Sequence, residues 1–245
     1  ALQSPVKSQA SRGVCSIFAT NGLMEHLYIK EGSLPEPDFS EQYLQWSVKV
    51  EVGDFTNTEG SNARSNLEAI TEFGIPVESA WPYQGTKWGA SDDPACTGDE
   101  GVPVRCYTNG DPPESARTGP KFFLPAGRWV NSNDRSIKAH MTTKKQAAIV
   151  GLTFYYQSWN HRASALPTSQ ELWRQGFVPY PNQADKQKSL EKRAGHPIVL
   201  VGWHDDLEIQ PIDAEGKPAV DADGNPIKEK GFFIFKNSWG TSSFG

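Results

Sequence analysis

The apolar residues of this chain change their period partway along, from the three-to-four spacing of helices to the near-continuous runs of buried strands. Early on, Ile17, Met24, Leu27 and Tyr28 fall on one helical face, and Gly32 and Pro35 end the run. Ser40 is a suitable N-cap for a second helix through Trp46. A third helix is predicted over 62–73, with Leu67, Ile70 and Phe73 inward and Gly74 at its C-terminal end. A fourth is predicted over 134–144. Beyond it, 147–155, 198–203 and 231–236 read as strands. Helices first and strands afterwards predict an α+β fold of two lobes. Residues 10–110 would form the helical lobe, and 111–245 with an N-terminal strand the β lobe.

Two stretches lack a period. Residues 84–126 are punctuated by Gly, Pro, Asp and Ser and read as a long surface excursion. Residues 205–230 carry two turn signals flanking Ala219-Val220, which predicts a meander of short strands. The run Asp221-Ala222-Asp223-Gly224 also has the look of a calcium loop. The twelfth position from Asp221 is Phe232 where an EF-hand needs Glu, so a turn is expected and no metal site.

Charge narrows the function classes. The net charge is −5 and the basic residues form no stripe, which argues against nucleic acid as a partner. No apolar run approaches the ~18 residues that span a membrane. The start, Ala-Leu-Gln-Ser-Pro, has neither Met nor a signal-like pattern, so a processed start is expected. Of three cysteines, Cys96 and Cys106 can close a small disulfide loop or stay as two thiols. Cys15 is left over.

Cys15 stands at the predicted start of a helix, where unpaired backbone N–H groups favour thiolate. Gln9, six residues upstream, has the amide needed to donate to an oxyanion together with the Cys15 N–H. Among five histidines, His26 and His140 fall in helical segments as surface or packed residues, and His161 and His204 lie in or beside loops. His196 leads directly into an apolar strand, which would hold a general base rigidly. Asn237 can accept from its imidazole, and Trp239 can cover that bond from water.

These residues, with Ser40-Glu41-Gln42, Phe73-Gly74-Ile75-Pro76, Trp81-Pro82-Tyr83, Gly195-His196 and Asn237-Ser238-Trp239-Gly240, occur in the order of the papain family. The chain resembles that family over almost its whole length. Glu59-Gly60-Ser61 is similar to its bacterial-type variant, in which this stretch lines the substrate cleft. The resemblance implies a papain-like fold: a helical lobe whose central helix starts at Cys15, a β-barrel-like lobe carrying His196 and Asn237, and a cleft between them. It implies a cysteine-type peptidase acting through a Cys15 thioester, with His196 as acid and base, Asn237 orienting it and Gln9 at the oxyanion. Gly60, Ser61 and Trp239 would touch substrate. It further implies a monomer acting on protein or peptide substrates without a cofactor, a pro-segment or protein inhibitor as occupant of the cleft, and an exported location.

The chain departs from the family signature Cys-Gly-[Ser/Ala]-Cys-[Trp/Tyr]. Arg12 replaces the first Cys, Val14 the small residue and Ser16 the aromatic. The disulfide that family members usually have there is lost at both ends, since no cysteine lies near Thr58. Ser16 leaves the packing beneath the nucleophile open, and Pro197 is tolerable at a strand start. The spacing from Cys15 to His196 exceeds the usual ~130–150 residues, an excess that the 84–126 and 205–230 insertions account for. A silent papain-fold binding protein, or a transamidase or deamidase, is the alternative.

Overall fold

The computed structural model describes residues 2–98 and 100–242. Helix α1 (Cys15–Glu31) is buried nearly all round from Ser16 to His26 and forms the axis of the helical half. It ends at Gly32, whose φ of +70° lets its N–H reach the carbonyls of Ile29 and Tyr28. Helix α2 (Glu41–Val50) starts where the Ser40 hydroxyl accepts from Tyr43 N; the same hydroxyl donates to Trp81 O. Helix α3 (Ala63–Glu72) is capped by the Asn62 side chain, which accepts from Ser65 N. Its apolar face is Ala69 and Ile70, with Leu67 partly buried. Phe73, expected inward, is exposed: it lies past the last helical turn, on the rim of that face.

Val14, Ile17, Met24, Phe39, Leu44, Val48, Ile70 and Ile75 fill one core. Each fully buried aliphatic or aromatic side chain contributes about 1.5–3 kcal/mol. Residues 84–126 are a surface excursion only in part. They hold helices α4 (Val104–Thr108) and α5 (Glu114–Thr118), and Cys96 is disulfide-bonded to Cys106. Residues 106–110 are buried, and Ala116 and Leu124 belong to the helical core. Asn109 turns this segment in the left-handed region, φ 51°, which Asn tolerates. Its amide binds Thr86 O and Trp88 N.

Helix α6 (Asp134–Lys144) leads into a three-stranded antiparallel sheet in the order β1 (Ala148–Thr153), β2 (Gly195–Ile209), β3 (Glu229–Lys236). Strand β2 is longer than expected and runs into the predicted meander, with irregular pairing between His204 and Glu208. The rest of that stretch is two turns, each closed by one bridge, Ile212 to Pro218 and Val220 to Pro226. In both, an Asp carboxylate accepts from its own loop: Asp213 from Glu215 N and Lys217 N, Asp221 from Asp223 N and Asn225 N. Two helices that the sequence reading lacks, α7 (Gln170–Gln175) and α8 (Gln183–Leu190), lie between β1 and β2.

Phe154, Trp159, Ile198, Leu200 and Met141 form a second core under the sheet. A narrow seam of Ala19, Ala147 and Val199 joins the halves. Gly22 lies on this seam, where a Cβ would make ordinary contact with Val199 at 3.5 Å. His26 is packed in this seam. Its Nε2 accepts from Ala147 N at 3.0 Å and its Nδ1 lies 2.6 Å from Leu2 O, so the proton sits on Nδ1.

Candidate active site

Cys15 is the first residue of α1, and no side chain caps that helix. Burial pushes its thiol up, while the backbone N–H groups of Ser16 and Cys15 pull it back down. The sulfur lies 4.0 Å from Gly195 O, the carbonyl just before His196. His196 is the second residue of β2, opposite Leu152 in β1.

The tautomer of His196 follows from its neighbours. Asn237 Oδ1 accepts from Ser238 N at 2.9 Å, which identifies the amide oxygen. That oxygen lies 2.8 Å from His196 Nε2, so Nε2 carries the proton and Nδ1 is an acceptor. Rings enclose the imidazole: Trp159 edge-on at 5.1 Å, Trp239 tilted by 32° at 5.2 Å, and Phe154 at 5.7 Å. Burial pushes the His196 pKa down, the Asn237 bond raises it, and nearby His161 lowers it further.

Gln9 is tied to the same segment as Asn237. Its backbone N–H donates to Ser238 O at 2.8 Å, and its Oε1 accepts from Ser238 Oγ at 2.6 Å. Its Nε2 donates to Arg12 O at 2.7 Å. Ser8 bridges Trp239, so residues 8–9 run alongside 238–239 as a short strand pair. The chain start thus carries Gln9 to the end of β3.

Gly60 and Ser61 sit against the start of α1. Ser61 Oγ is 2.6 Å from Ser16 Oγ, which shows what Ser16 does in place of an aromatic: it is buried and hydrogen-bonded across to this loop. Lys49 Nζ donates to Gly60 O at 3.2 Å, and Gln45 Nε2 to Glu59 O at 2.8 Å. Burial first, then the Arg12 charge, push Lys49 down to about 7, against a smaller upward pull from Glu59.

In place of the disulfide that the sequence reading found lost, Arg12 and Glu59 form an ion pair at 2.7 Å. The sequence reading registered Arg12 only as a missing cysteine, although a charged residue three positions before a buried helix was itself a signal. It also missed Trp159 and left the role of His161 open, since their positions in an aperiodic segment gave no clue. Among the described residues no group of three or more His, Cys, Asp or Glu side chains could hold a metal, and no helix is long and apolar enough to cross a membrane.

Comparison with known proteins places the fold. The model of the family described as papain family cysteine protease matches residues 2–245. The chain is similar to xylellain, a cysteine protease from Xylella fastidiosa, with a TM-score of 0.63 and 16% identity over 98% of this chain and 73% of that one. It is similar to the clostridial cysteine protease Cwp84, with a TM-score of 0.58 and 18% identity over 99% of this chain and 49% of that one. A recombinant stem bromelain precursor gives a TM-score of 0.53 and 18% identity, over 100% of this chain and 58% of that one. No curated protein matches the sequence. The chain therefore spans about half to three quarters of the length of these solved relatives, and at these identities the likeness carries the fold.

Proposed function

We propose that this chain, because it belongs to the papain family of cysteine proteases, hydrolyses peptide bonds through a thioester on Cys15. The observation that carries this reading is the fixed tautomer of His196. Asn237 holds the Nε2 proton, which leaves Nδ1 to exchange a proton with the thiol. Cys15 as thiolate attacks the scissile carbonyl. His196 Nδ1 then gives its proton to the leaving amine. The developing oxyanion meets the Cys15 N–H and the second N–H of the Gln9 amide, whose first is bound to Arg12 O. Water, losing a proton to Nδ1, attacks the thioester, releases the acid and restores the Cys15 thiolate beside protonated His196.

Gly60, Ser61 and Trp239 are the proposed substrate contacts. The lobes expected over 10–110 and 111–245 are kept as a proposal with the boundary moved to just past Leu124, because Ala116 and Leu124 pack into the helical core. Substrate is a protein or peptide, and a pro-segment or inhibitor would occupy the same cleft. The Cys96–Cys106 disulfide supports an exported, oxidising location, and one of the relatives is described as a surface-layer-associated protein.

One observation favours the silent alternative: burial disfavours the charged form of both Cys15 and His196. The test is mass spectrometry of an unfolded protein substrate after incubation. New N-termini in the wild type and none with Cys15→Ala are expected. Loss of glutamine side-chain amide without new termini would replace peptidase with deamidase or transamidase. No product of either kind would leave a binding protein.

A further inference from the structure

Arg12 stands three residues before the nucleophile with none of its side chain exposed. Its Nε donates to Glu59 Oε1 at 2.7 Å. Its Nη1 reaches Gln42 Oε1 at 3.2 Å and Gln84 O at 3.3 Å, and its Nη2 reaches Tyr107 O at 2.6 Å. The guanidinium also lies 5.7 Å from the Tyr83 ring centroid. A guanidinium so occupied has no fork left for a substrate carboxylate.

The carboxylate of Glu59 is divided between side chain and main chain of the same loop. Its Oε1 takes Arg12 and its Oε2 takes the Gly13 N–H at 3.1 Å. Arg12 O in turn accepts from Gln9 Nε2, so the placing of residues 12–13 also sets the Gln9 amide. Glu59 is itself held from behind by Gln45 on its carbonyl, and the next two residues by Lys49 and Ser16.

We propose that Glu59, working through Arg12 and the Gly13 N–H, is a positioning residue for the reaction: it fixes the 9–15 segment so that Cys15 and Gln9 meet the scissile carbonyl together. The inference rests on the peptidase reading above. A group placed only to stabilise the fold would not need its second oxygen on the N–H between Arg12 and Cys15. Misplacing a reacting group by about 1 Å costs on the order of 100-fold in rate.

The test compares Glu59→Ala, which removes both acceptors, with Glu59→Gln, which keeps an oxygen for one of them. Arg12 variants are avoided because they also remove the bonds to Gln42, Gln84 and Tyr107. Glu59→Ala is expected to lower kcat on a peptide substrate by roughly 100-fold with KM within about 3-fold, and Glu59→Gln to recover most of that loss. Folded fraction is measured alongside by circular dichroism. Wild-type kcat in Glu59→Ala, or equal losses in both variants that track the folded fraction, would overturn the proposal. Should the wild type itself make no product, the peptidase reading fails separately, and amide exchange over 9–16 decides for the strut. Faster exchange there in Glu59→Ala than in Glu59→Gln supports it, and equal protection in all three proteins overturns it.

Discussion

The loop that carries Cys15 is fixed by charge and hydrogen bonds, whereas the strand end that carries His196 is enclosed by rings. On the first side Arg12, Glu59, Gln42 and Gln45 bind one another and the carbonyls of Gln84 and Tyr107. On the second, Phe154, Trp159 and Trp239 surround the imidazole, with one directed bond to Asn237. Directed bonds suit a backbone loop whose N–H groups must point at a reacting centre. Rings suit a base that needs one hydrogen bond sheltered from water and otherwise a dry wall. The cost is common to both sides, since burial opposes the charged form of each partner. An ion pair between them must be sustained by their mutual attraction.

If the two sides are held independently, damage to each should add. Arg12→Met leaves Glu59 unpaired in a buried network and is expected to cost about 3–5 kcal/mol in denaturant unfolding. Trp159→Ala removes the ring beneath His196 and should cost a similar amount, about 3–5 kcal/mol. The double variant should show the sum within ~0.5 kcal/mol. A coupling well above that would mean that the seam at Ala19, Ala147 and Val199 joins the two supports into one.

Titration of Lys49 should probe the polar side. Lys49 falls from 10.5 to about 7 on folding, with burial the main cause. Between those values the unfolded chain binds more protons, so this group makes the fold more stable as pH rises from about 7 to 10.5. Below about 7 both states hold the proton and the slope from Lys49 vanishes. The stability of the wild type relative to Lys49→Met should therefore improve by a few kcal/mol at most across that window. A difference flat in pH would show that the amine behind Gly60 is hydrated.

A smaller effect is expected from the disulfide. Replacing Cys96 and Cys106 by Ser should cost about 2–3 kcal/mol by the loop-closure argument, because the bridge closes a ten-residue separation. It should also loosen the adjacent Tyr107 carbonyl that Arg12 uses, which hydrogen exchange over 9–16 would register. Exchange around His196 should stay unchanged.

The same contrast explains what could be read from sequence. Helices α1, α2, α3 and α6 announce themselves through apolar period and caps such as Ser40, Asn62 and Gly32. Cys15, His196, Asn237 and Gln9 could be proposed because, with their flanking motifs, they occur in the order of the papain family; no one of them stands out alone. The supports were harder to see. Helix α2 buries Glu41, Gln42, Gln45, Ser47 and Lys49, so its polar residues point to solvent only on paper. Helix α8 buries Asp185 and Ser189 instead of an apolar stripe, and Asp185 accepts from Gln157 N and Ser158 N, two backbone groups just before Trp159. Residues 106–110 are buried by what their carbonyls accept, which no period records. Polar burial is invisible to a reading built on apolar spacing.

The most direct test of the account is the rate of Cys15 alkylation by iodoacetamide as a function of pH, in the wild type and in His196→Ala. A paired thiolate keeps the rate high well below the ordinary thiol pKa of ~8.5, with that acid-side plateau gone in His196→Ala. A rate that falls away below ~8.5 alike in both proteins would mean that burial wins, the thiol and imidazole stay neutral, and the site is not an armed peptidase.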